Sequence, residues 1–99
     1  MIKHVFVGVI KEGVDEAKIN ERLEVMRAID KYVPQVSNLA VGRNLNWYTQ
    51  QDALVLTGDF KSKEDWLAFI NSDYHQEKLI KVAGEVFDME KSLGYEYEF

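Results

Sequence analysis

Residues 3–10, Lys3-His4-Val5-Phe6-Val7-Gly8-Val9-Ile10, decide how this chain is read. His4, Phe6 and Gly8 share one parity of a strand, and Val5, Val7 and Val9 share the other. Both parities are apolar or small, so both faces of the strand want burial. The rest of the chain must therefore supply a cover for each face.

The flanking segments supply one of them. After the turn KEGVD, Asp15 is placed to cap a helix and Val14 to staple against Ile19. Ile19, Leu23, Met26, Ile29 and Val33 then recur at three- and four-residue spacing, opposite Lys18, Glu21, Glu24 and Lys31. That is an amphipathic helix, and Pro34, the only proline, ends it. Residues 36–47 put Leu39, Val41, Leu45 and Trp47 on one parity, which predicts a half-buried strand. Residues 53–60, ALVLTGDF, predict the next strand, joined to the previous one as a hairpin through the polar YTQQD. Ser62 to Asp65 resembles a capping box ahead of Trp66, Leu67, Phe69 and Ile70, a short helix that Asn71 and Ser72 break. A second start at Asp73 leads into the stripe Leu79, Val82, Ala83, Val86 and Phe87. Finally Leu93, Tyr95, Tyr97 and Phe99 alternate with Gly94, Glu96 and Glu98 as a last strand.

The order β-α-β-β-α-β, with the second helix in two pieces, predicts an α+β fold of ferredoxin-like topology. It has a four-stranded antiparallel sheet with its helices on one face. Residues 1–99 are read as one domain. The second sheet face then needs a cover from outside the chain. An isologous homodimer packed sheet on sheet, a dimeric α+β barrel, supplies it, and Tyr95, Tyr97 and Phe99 are candidate interface contacts.

Composition narrows the function classes. Apolar residues make up 46% of the 99 positions, enough for a packed core. A net charge of -5 with scattered Lys and Arg offers no basic stripe, so no nucleic-acid partner is expected. The apolar runs are far short of the roughly 20 residues that span a bilayer, and the first residues lack a signal-peptide core. No membrane partner and a cytoplasmic location are the expectations. Zero cysteines remove thiolate metal sites and a cysteine nucleophile. With neither a Gly-rich phosphate loop nor an HExxH pattern, no cofactor and no metal are expected.

Residues 2–19 (IKHVFVGVIKEGVDEAKI), the helix ending in a proline turn, VGRN at 41–44 and FKSKEDWLAFINSDYHQEKL at 60–79 together resemble the stress-responsive A/B barrel (Dabb) family over essentially the whole chain. The Lys3-His4 pair and the histidine opening the last helix are the more specific markers. The resemblance implies a dimeric α+β barrel. A distantly similar plant branch, olivetolic acid cyclase, performs an intramolecular aldol condensation on a polyketide without a cofactor. Carried across, its catalytic histidine falls on His75, its first-strand pocket histidine on His4, and a further pocket histidine near Leu54. Its catalytic tyrosine falls on Phe69, which has no hydroxyl.

His75 precedes Leu79 by one helical turn, so it faces inward, where burial and the helix dipole both favour a neutral imidazole able to accept a proton. His4 shares parity with Phe6 and Gly8, and the missing side chain at Gly8 leaves room for a cavity. Its plainer role is a core histidine satisfied by a carbonyl or by a carboxylate such as Asp59. His75 and His4 are the candidate catalytic residues. Phe6, Gly8, Leu23, Met26, Leu54, Phe69, Leu79 and Val86 are the candidate pocket. Tyr74 and Tyr48 are possible stand-ins for the lost phenol. Three readings remain open at this point: a cofactor-independent cyclase or isomerase with a His75 base, a non-catalytic dimeric binder of a small apolar or carbonyl-containing metabolite, and a cofactor-free monooxygenase using Trp66 and His75. A pocket of at least about 300 Å3 reaching both histidines would favour small-molecule chemistry.

Overall fold

Strand β1 (Ile2–Val9) is an interior strand of the sheet, as its two apolar faces require. The computed structural model describes all 99 residues. After β1 come α1 (Glu16–Arg27), α2 (Ile29–Tyr32), β2 (Ser37–Arg43), β3 (Ala53–Phe60), α3 (Lys63–Ile70), a π-helix (Tyr74–Ile80), α4 (Lys81–Ala83) and β4 (Leu93–Glu98). The four strands lie in the order β2-β3-β1-β4, all antiparallel, which is the ferredoxin-like arrangement. No helix is long and apolar enough to cross a membrane.

Local chemistry fixes the element ends. Asp15 accepts the backbone N–H of Lys18 at 2.8 Å and starts α1; Ser62 accepts that of Asp65 at 3.2 Å and starts α3. The second strand is shorter than its parity predicts. It stops at Arg43, and Leu45 and Trp47 are 67% and 87% exposed. Asn44 ends it by donating from Nδ2 to the Thr49 and Gln51 carbonyls, while Asn46 turns the chain in the left-handed region at φ 60°.

The last helix differs from its prediction at both ends. Asp73 is already helical and caps nothing; the Ser72 hydroxyl accepts the His75 N–H at 3.1 Å instead. Helix also stops at Ala83, so Val86 and Phe87 enter the core from a turn, where Phe87 bridges to Ile10. Between these ends the backbone is wound as a π-helix, with the Lys81 N–H bonded to the Gln76 carbonyl five residues back. Such windings are rare and concentrate at functional sites.

The core lies between the helices and the sheet face that carries His4, Phe6, Leu54, Leu56 and Phe60. Gly8 serves this packing differently from its expected role. The Phe87 ring occupies the space above it, and a Cβ there would stand 2.5 Å from the ring. Gly8→Ala should therefore destabilise the fold by about 1–3 kcal/mol through overpacking, measured by urea unfolding. Unchanged stability would mean that Phe87 moves freely.

The opposite sheet face has no cover within the chain. Val5, Val7, Val55 and Thr57 are only half-buried there, and Leu93, Tyr95 and Tyr97 are 42%, 62% and 53% exposed.

Candidate active site

The helix-side face of β1 opens onto a mostly apolar cavity of about 110 Å3 between sheet and helices. Its sheet wall is His4, Phe6 and Leu56; α1 and α2 contribute Arg22, Met26 and Ile29. Phe69 comes from α3, His75, Leu79 and Ile80 from the π-helix, and Ala83 from α4, with Phe87 and Met89 beyond. The π-winding has a direct consequence here. It spreads a turn over more than four residues, so Leu79 and Ile80 both follow His75 onto the cavity side.

Both histidines are therefore in one wall system, and Phe69 stands between them. Its ring centroid is 5.7 Å from that of His4 and 4.7 Å from that of His75, edge-on in both cases. Of the other expected pocket residues, Phe6, Met26 and Leu79 line the cavity, whereas Gly8, Leu23, Leu54 and Val86 do not. Gly8 is covered by Phe87, and Leu54, its cross-strand neighbour, is sealed at 0% exposure. Leu23 packs on the flank of the core, and Val86 is buried in the turn after α4.

The partner of His4 is Glu96, not Asp59. Register explains the difference: His4 sits opposite Gly58 on β3 and Glu96 on β4, while Asp59 is opposite Lys3 on the other face and pairs with it at 2.7 Å. His4 Nδ1 lies 2.7 Å from Glu96 Oε2, which places the proton on Nδ1 and fixes the ring's orientation. The Trp66 indole N–H is 3.4 Å from the same nitrogen and cannot also donate to it once that proton is in place. His4 Nε2 has no protein partner.

His75 is held differently. Its Nδ1 is sealed without a hydrogen-bond partner, and the ring forms part of the cavity wall edge-on to Phe69. Burial pushes its pKa below the ordinary histidine value, the nearby Ile70 carbonyl pulls the other way, and His4 adds to the lowering. The imidazole is thus mainly neutral at pH 7. The same shift predicts a pH effect on stability. A folded-state pKa below the unfolded one means that the unfolded chain binds the proton first, so stability is full above about pH 6.5 and falls as pH drops below it. His75→Gln should remove that part of the acid slope in thermal unfolding at pH 5 to 7; an identical slope in the variant would contradict the burial.

Neither stand-in tyrosine reaches the site. The Tyr74 hydroxyl donates to the Val25 carbonyl at 2.7 Å, and Tyr48 is 98% exposed in the β2–β3 loop. No group of three or more His, Asp or Glu side chains is arranged to hold a metal. Two site residues escape the sequence reading. Glu96 looks like the solvent side of an alternating strand until β4 is registered on β1. Arg22 interrupts the apolar stripe of α1, yet it is only 7% exposed. That interruption was the one available signal.

The family model of the Stress responsive A/B Barrel Domain matches residues 2–95. Among solved structures, an Arabidopsis thaliana protein is 20% identical, with a TM-score of 0.80 over 100% of this chain and 95% of its own. A dimeric ferredoxin-like protein of unknown function from Thermobifida fusca is 11% identical, with a TM-score of 0.84 over 99% and 90%. A hydroxynitrile lyase from Passiflora edulis is 15% identical, with a TM-score of 0.83 over 97% and 90%. At these identities the likeness concerns the fold. No curated protein sequence matches the chain.

Proposed function

The chain belongs to the stress-responsive A/B barrel domain family, and from that premise we propose that it is a homodimer whose subunits each bind a small carbonyl-containing molecule for cofactor-independent proton transfer. The observation that carries the reading is the pairing of a half-buried, mainly neutral His75 with a carboxylate-held His4 on one cavity. The neutral His75 imidazole accepts a proton from the carbon beside the carbonyl, leaving an enolate and an imidazolium that returns the proton to carbon or oxygen. His4, with Nδ1 held by Glu96, presents its other ring nitrogen to orient a substrate oxygen or a water.

At about 110 Å3 the cavity reaches both histidines but falls short of the roughly 300 Å3 set as the mark of small-molecule chemistry, and that volume limits the substrate's size. A dry cavity of about 150 Å3 takes one benzene, so 110 Å3 fits a ligand of similar size or smaller and not a polyketide chain. This departs from the cyclase chemistry that the resemblance implies, as does the absence of a phenol at Phe69. The lyase among the structural neighbours supports catalysis in this architecture. The dimer is supported by the uncovered apolar sheet face and by neighbours described as dimeric.

The test is proton exchange. The protein, incubated with acetone or hydroxyacetone in D2O, is expected to accelerate deuterium incorporation beside the carbonyl, read by proton NMR. No acceleration with any small ketone or aldehyde would leave the non-catalytic reading, which Phe69 between the two imidazoles favours. Native mass spectrometry of the purified dimer would then show a retained small ligand.

A further inference from the structure

Arg22 is the one charged residue on the buried stripe of α1, between Ile19 and Met26, and it forms part of the cavity wall with His4 and His75. It is 7% exposed, and no carboxylate lies within ion-pair distance of it. Its one hydrogen bond runs from Nη1 to the Lys78 carbonyl at 2.7 Å, which ties α1 to the π-helix. Nε is buried with no acceptor at all. A guanidinium offers five donors in a planar fork suited to carboxylates. Buried cations normally have a counter-charge and buried donors an acceptor, and their joint lack beside a ligand-sized cavity points to an anion supplied from outside the chain. Glu21 and Glu85 act on Arg22 only at a distance, and burial lowers its pKa.

We propose that the cavity takes a small monocarboxylate, with the Arg22 guanidinium as the counter-charge that recognises the carboxylate end. This deepens the proposed function by naming its substrate class, a short oxo acid, and it rests on the cavity being the ligand site. The carboxylate end lies against Arg22, and the carbonyl end lies toward His75 and His4. The apolar walls between them admit only a short chain.

Propionate and butanone are nearly equal in shape and differ in charge, so they separate charge recognition from space filling. Titrated into the folded wild-type protein and followed by NMR chemical shifts, propionate is expected to bind at least about tenfold more tightly than butanone. Arg22→Gln should bring the affinity ratio of propionate to butanone to about one, while Arg22→Lys should keep part of the preference. Equal binding of the two probes to wild type, or no propionate binding, overturns the proposal without any variant needing to fold. A preference that survives in Arg22→Gln overturns it as well. Exchange at neutral ketones that persists without a carboxylate preference would sink this inference alone; the preference without exchange at any carbonyl compound would sink the proton-transfer reading alone.

Discussion

His75→Gln should slow deuterium exchange at the ketone by about 10²- to 10⁴-fold, the range that one positioned general base contributes. Glutamine keeps a polar side chain of similar reach but cannot accept a proton and pass it on. The ring of His75 touches Phe69 edge-on, its Nδ1 has no partner, and the Ile70 carbonyl is its one nearby backbone acceptor, so the fold depends on it little. The backbone contact that does matter, from the His75 N–H to the Ser72 hydroxyl, is untouched by the substitution. The variant should therefore fold, and the loss should fall on the rate constant more than on ligand affinity. His4→Gln should be milder, because His4 orients and does not abstract. If the His4 variant is the dead one and the His75 variant is active, the roles are reversed.

Val55→Asp should turn a dimer into a monomer. Val55 lies on the uncovered sheet face beside Val7 of β1, with Tyr95 and Leu93 farther along the same face on β4. In an isologous interface the change appears twice, once from each copy, so two carboxylates would be buried near the axis without partners. Desolvating them costs several kcal/mol, more than a modest interface tolerates. Within one subunit the position is half-exposed, and the cost there is a β-propensity effect of no more than about 1 kcal/mol. Light scattering after size exclusion reads the mass directly. A Val55→Asp protein that remains dimeric would show that this face is not the interface.

Much of the fold was legible because its signals are local. The caps at Asp15 and Ser62, the stripe of α1 and the alternation of β4 all depend on residues within a turn or a strand of one another. Double-sided apolarity in β1 was the one local signal with a global consequence. The misreadings share the opposite cause. Val86 and Phe87 continue a helical spacing but belong to a turn, since Phe87 is drawn to Ile10 and to the space above Gly8. No spacing rule shows a π-winding or tells a strand from a loop closed by Asn44.

The site divides the same way. His75 and His4 stood out by residue type, and Phe69 by its position in the resemblance. Glu96 and Arg22 did not, because their significance comes from register and from what they lack. Glu96 matters because β4 lies beside β1, and Arg22 because no acid accompanies it into the interior.

His75 as a half-buried, mainly neutral base at the cavity is the central claim, and with only two histidines in the chain its ring can be followed directly. Proton–nitrogen NMR of the imidazoles across pH 4 to 8, with His75→Gln to assign the signals, gives the titration of each ring. His75 should titrate below the ordinary histidine value of about 6.5, with its signals shifting when a cavity ligand is added. A His75 that titrates at or above that value, and does not respond to any ligand that fills the cavity, would contradict the account.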